Sequence, residues 1–82
     1  MRQEVTRLRA ERLRRRWTLK ELSRRTRIGD ADISKIERLR IAPYPGQLKR
    51  LAKAVNVPPA LLLEIVQIDD GRRPATTSTE AA

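Results

Sequence analysis

Residues 1 to 27 carry eleven Lys or Arg against three Glu, so this third of the chain holds a net +8 of the formal +9 of all 82 residues. Clustered guanidinium groups neutralise phosphates, each contact releasing condensed counterions, and a polyanion is their natural partner. Two readings of this charge stand side by side: a phosphate-binding surface, and a solvated basic coat that keeps the chain soluble. Asp30 and Asp32 supply the opposite charge, placed where a helix would begin and where carboxylates offset its positive end. Reactive chemistry has less to work with. The chain has no Cys and no His, no phosphate-cradling glycine loop and no paired carboxylates on a plausible cleft, so catalytic residues, a metal site and a cofactor are not expected.

With 82 residues the chain is expected to form one domain, near the lower size at which a core suffices without disulfides or metals. No run approaches the ~18 apolar residues of a membrane span, and the first residues, M-R-Q-E-V-T-R, lack the apolar region of a signal peptide. A soluble, cytoplasmic protein with no membrane partner is the expectation.

The elements that position the charged residues are organised around Thr18 to Arg38. Thr18 and Glu21 stand three apart, the spacing of a capping box, with Trp17 and Leu22 at the two places of a hydrophobic staple. A short helix follows to Thr26, with Leu19 and Leu22 as its apolar stripe. Arg27-Ile28-Gly29 breaks the period, and Gly29 serves as N-cap of a second short helix. Ile33 and Ile36 are its buried edge, leaving Asp30, Ala31, Ser34, Lys35 and Arg38 outside. Helices with such thin stripes are unstable alone and need others behind them.

The flanking chain supplies those. Arg2 to Arg16, without Gly or Pro, predicts a first helix on which Val5, Leu8 and Arg12 share a face. An arginine at the end of an apolar stripe needs a carboxylate, and Glu37 is the obvious candidate. After Arg38 comes the irregular connection Leu39 to Gly46, within which Pro45 predicts the start of a helix to about Val55, with Asn56 as a left-handed terminator. Ala60 to Ile68, A-L-L-L-E-I-V-Q-I, is the most apolar segment and predicts a last helix. Its Leu62 and Val66 close the core, whereas Leu61, Leu63, Ile65 and Ile68 remain as an apolar patch suited to a homodimer interface. The alternative is a fully buried last helix in a monomer. The organisation expected is therefore a helical domain over 1–68 and a disordered polar tail over 69–82.

Five helices, the second and third forming a helix-turn-helix, describe an all-α, lambda-repressor-like domain. The sequence resembles the Cro/C1-type, or XRE, family of DNA-binding proteins. Leu8, Arg12, Trp17, Thr18, Leu22, Ser23, Ile28, Ile33, Ser34, Ile36 and Glu37 fall on the family pattern without a gap. The match continues through Pro43, Leu48, Leu51, Ala52, Ala54, Val55 and Val57, covering residues 8 to about 64. The resemblance implies that Thr18 and Lys20 hold the DNA backbone and that Gly29, Asp30, Ala31, Asp32 and Lys35 meet base edges and adjacent phosphates in the major groove. It also implies that Arg38 and Arg40 meet the backbone from the following loop, and that Arg12 and Glu37 form a structural ion pair.

Five positions depart from the family. Leu19 replaces a frequent glutamine, and Arg27 and Leu39 stand where turn glycines are common, which puts both turns in question. Asp30 and Asp32 are the other two. A carboxylate can accept a hydrogen bond from cytosine N4 and so select C·G pairs; helix-dipole compensation remains the alternative. The function implied is a sequence-specific double-stranded DNA-binding regulator, a repressor acting as a dimer on a palindromic operator. A protein-interaction module or an antitoxin on the same fold, with a protein partner, is the rival.

Overall fold

Residues 2–69 are described by the computed structural model. The element order is β1 (Arg2–Thr6), α1 (Arg7–Arg14), α2 (Leu19–Thr26), α3 (Asp30–Glu37), α4 (Pro45–Val55), a single 3-10 turn (Pro59–Leu61) and β2 (Ile65–Asp69). The helices enclose one core made of Leu8, Leu22, Ile28, Ile33, Ile36, Leu51, Ala52, Val55 and Leu62. From residue 70 onward the expected tail lies outside the described residues, and Asp69 itself closes β2.

The all-α, five-helix expectation is corrected at both ends of the domain. Thr6 is the N-cap of α1, extended at φ −67° and ψ 154°, and its hydroxyl accepts a hydrogen bond from the Arg9 N–H. A helix therefore cannot begin before Arg7, and the residues ahead of it are free to pair as a strand. Their partner is the segment expected to be the last helix. Pro58 and Pro59 restrict the backbone to one 3-10 turn, and the β-branched Ile65, Val66 and Ile68 then favour an extended strand. β1 and β2 pair antiparallel, with Val5 opposite Val66 and Thr6 opposite Ile65. Backbone bonds from Arg7 N to Glu64 O and from Leu8 N to Leu62 O carry the pairing into the start of α1.

All four helices end on a residue in the left-handed conformation: Arg16 after α1, Arg27 after α2, Leu39 after α3 and Asn56 after α4, with φ between 58° and 60°. None is a glycine. The hydrogen bonds explain how each is held. Trp17 N reaches Arg12 O and Arg16 N reaches Leu13 O; Arg40 N and Leu39 N reach Lys35 O and Ile36 O; Val57 N and Asn56 N reach Ala52 O and Lys53 O. Each pair is the double bond of a Schellman end, and Arg27 N to Ser23 O is the single-bond variant. The turns in question at Arg27 and Leu39 thus close in the left-handed conformation without glycine. An L-residue held this way gives up about 1–2 kcal/mol. Leu39→Gly, relieving that strain at a residue 53% exposed, is expected to stabilise the domain by about 0.5–1 kcal/mol after the entropy cost of glycine. Thermal melting checks this, and an unchanged or lower midpoint would mean that Leu39 packs usefully where it stands.

Candidate nucleic-acid interface

The helix-turn-helix begins at Thr18, whose Oγ1 accepts a hydrogen bond from Glu21 N at 3.0 Å. The expected capping box is only half made. Instead of returning to the cap, the Glu21 carboxylate binds Arg24 and Arg25, three and four residues on, and these two lower its pKa against a smaller opposing effect of desolvation. The Arg25 guanidinium in turn lies over the Trp17 ring, 4.2 Å from its centroid. Trp17 packs on the core at the expected staple position, so this stack caps the apolar stripe of α2.

α3 packs across α2 and turns Ile33, Ile36 and Glu37 inward. Ala31, Asp32 and Lys35 are exposed, and Asp30 and Ser34 are half-buried. Asp30 and Asp32 stand in the first turn after the Gly29 N-cap, which offers no side-chain cap, so their charge lies on the positive end of α3. The outer face is thus short, polar and free of contacts with the rest of the domain that would hide it.

A buried polar cluster fixes the far end of α3. Arg12 donates from Nε to Glu37 Oε2 at 2.7 Å and from Nη2 to Oε1 at 3.1 Å, while its Nη1 donates to Trp17 O at 2.8 Å. Arg9 Nη1 lies 3.8 Å from the same carboxylate, whose side chain is 1% exposed. Thr6 Oγ1 donates to the Glu37 carbonyl at 3.0 Å. One arginine therefore joins α1, the turn before α2 and the end of α3. Sequence reasoning missed Thr6 and Arg9; no local pattern marks a threonine that caps one helix and closes another 31 residues away.

The distribution of free charge bears on both readings of the basic N-terminal third. Arg7 pairs with Glu64, Arg14 and Arg15 with Glu11, and Arg9 and Arg12 with Glu37. Burial pushes the Glu11 carboxyl upward in pKa, yet hydrogen bonds from Arg15 and Arg14 outweigh it and hold the group below its ordinary value. Most arginines of α1 are thus occupied within the protein. The side chains of Arg16, Lys20, Arg27, Lys35, Arg38 and Arg40 are exposed and carry no ion pair or hydrogen bond among the described residues. Lys49, Arg50 and Lys53 on α4 are likewise free. Net charge read along the sequence counts cations without their partners.

A cleft of about 560 Å³ separates the start of α2 from that of α3, lined by Thr18, Lys20, Glu21, Ser23, Arg24, Gly29 and Asp30. It brings the starts of the two helices together on one side. Lys35, Arg38 and Arg40 follow along α3 and the loop beyond. Of the apolar patch, Leu61 and Ile65 are 45% and 53% exposed, Ile68 is half-buried on β2, and Leu63 packs partly against the core. The patch therefore spans a turn and a strand rather than one face of a helix.

Among the described residues no cluster of His, Cys, Asp and Glu is placed to hold a metal ion, and no helix is long and apolar enough to cross a membrane. A family model described as a helix-turn-helix domain matches residues 5–65. No curated protein and no solved structure matches the chain.

Proposed function

Because the chain belongs to the helix-turn-helix domain family, which is associated with XRE-like DNA-binding regulators, we propose that it is a sequence-specific double-stranded DNA-binding regulator of the cytoplasm. The observation that carries this reading is the exposed outer face of α3, bordered by cations with no partner inside the protein. Asp30, Ala31, Asp32 and Lys35 meet base edges in the major groove, with Gly29 at the point of entry. Thr18 and Lys20 at the start of α2, and Arg38 and Arg40 beyond α3, hold the phosphates and set the register.

The same proposal includes a two-fold dimer acting as a repressor on a palindromic operator. Support for self-association comes from charge and exposure together. Residues 54 to 68 contain no Lys or Arg in a chain of net charge +9, and they include the exposed Leu61 and Ile65. Two such cations can approach each other most closely through that stretch, burying Leu61, Leu63, Ile65 and Ile68. Domain boundaries of 1–68 and a tail of 69–82 complete the proposal. The rival role, a protein-interaction module or antitoxin, draws support from the unpaired carboxylates of Asp30 and Asp32 at the tip of α3, which repel phosphate and suit a basic protein surface.

Lys20→Ala distinguishes these. Loss of one phosphate contact is expected to weaken binding to all duplexes alike and to reduce the slope of log affinity against log salt by about 1. Gel-shift titrations on related and unrelated duplexes at several salt concentrations measure both. Unchanged affinity would remove Lys20 from the interface, and complete indifference of the unaltered protein to duplex DNA at low salt would favour the rival.

A further inference from the structure

The four left-handed residues that close the helices are not alike in what they present. Asn56 belongs to a residue type that tolerates the conformation, and Leu39 offers only apolar atoms. The other two are arginines, at φ 60° in both cases. Arg16 and Arg27 also share a position: each lies two residues before the N-cap of a helix, Thr18 for α2 and Gly29 for α3. Gly29 itself has φ −56°, a value open to any residue, so the chain sets glycine beside a left-handed position and arginine in it. A helix end asks only for the backbone shape, which glycine supplies more readily. What the two positions add to that shape is a pair of guanidinium groups.

Their surroundings say what for. The cleft between the starts of α2 and α3 is lined by two cations, Lys20 and Arg24, and two acids, Glu21 and Asp30. Arg24 is bound to Glu21, so the lining alone carries no excess positive charge with which to hold a polyanion. Arg16 and Arg27 each stand within about 7 Å of chain from a cleft-lining residue, exposed and unpaired among the described residues. The arginines of α1, by contrast, are bound to Glu11, Glu37 and Glu64. We propose that Arg16 and Arg27 are phosphate-binding residues flanking the cleft, each taking one backbone phosphate of duplex DNA and together giving the cleft its net positive charge. This rests on the duplex-DNA reading above and adds two contacts to it.

The experiment compares the unaltered protein with Arg16→Gly and Arg27→Gly in thermal melting and in duplex-binding titrations over a range of salt. Relief of the left-handed strain raises the melting midpoint of each variant by about 4 °C. Loss of the phosphate contact lowers its affinity about 3-fold to 10-fold near physiological salt and its salt slope by about 1. The opposite signs matter, because a purely structural residue would move stability and binding together. Arg27→Asn, which keeps a left-handed-tolerant residue and removes the charge, shows the same loss of affinity even where a glycine loosens the turn. Higher melting with unchanged affinity and slope would overturn the proposal alone, while failure of the unaltered protein to bind any duplex would overturn it together with the reading it rests on.

Discussion

Glu37→Ala is expected to destabilise the domain by about 3–5 kcal/mol, which lowers the melting midpoint by more than ~12 °C in a chain of this size. The size of the effect follows from burial. The Glu37 side chain is 1% exposed and the Arg12 side chain 8%, and the two are joined by a two-pronged contact. Removing the carboxylate leaves the guanidinium with Trp17 O as its remaining partner and no compensating charge in a water-poor site. It also frees Arg9 and weakens the tie between α1 and the end of α3, leaving the Thr6 hydroxyl on the Glu37 carbonyl. The complementary variant separates pair from packing: Arg12→Met with Glu37→Leu removes both charges together and recovers most of the loss, since matched apolar replacements of buried pairs are commonly neutral or better. A loss below about 1 kcal/mol for Glu37→Ala would mark the pair as solvated and energetically idle.

The second large effect concerns recognition rather than folding. Lys35→Ala is expected to cost about 1–3 kcal/mol of binding to the preferred duplex, roughly 5-fold to 150-fold, and to relax preference at one base pair of each half-site. Lys35 is exposed in the last turn of α3, two residues before the buried Glu37, so the change leaves the core untouched. Binding to the preferred site and to single-base variants, measured at one salt concentration, reads this directly. A uniform loss across all variants would make Lys35 a phosphate contact instead, and no loss would take it out of the interface. Asp32→Ala gives the matching comparison on the acidic side. Loss of discrimination at a C·G pair identifies base selection, whereas a general gain in affinity identifies a carboxylate that serves only the helix dipole.

The parts of this architecture legible in the sequence are those fixed by local chemistry. Thr18 starts α2, Pro45 opens α4 and Asn56 closes it because each requirement is met within a few residues. Arg12 and Glu37 were legible together, one at the end of an apolar stripe and one on an inner edge, since a buried charge demands its opposite. The strands were not. Nothing between Arg2 and Arg16 interrupts a helix, and the pairing that makes β1 a strand comes from residues more than 60 positions away in register, Thr6 with Ile65 excepted at 59. Ala60 to Ile68 mixes leucines that suit a helix with β-branched residues that suit a strand; two preceding prolines and the partner strand decided it. The charge of α1 left two readings open because a sequence shows charges without geometry, and Glu11, Glu37 and Glu64 absorb most of its arginines. Left-handed helix ends at Arg27 and Leu39 escape the usual glycine signal because backbone hydrogen bonds can hold an L-residue there at a tolerable cost.

Selection of bound duplexes from a random-sequence pool tests the central proposition most directly. A groove-reading α3, presented twice by a two-fold dimer, should enrich one motif of two inverted half-sites about 34 Å apart along the helix axis, with Lys35→Ala shifting the base preferred within each half. Recovery of no enriched sequence, from a protein that melts cooperatively and binds its pool at low salt only, would contradict it.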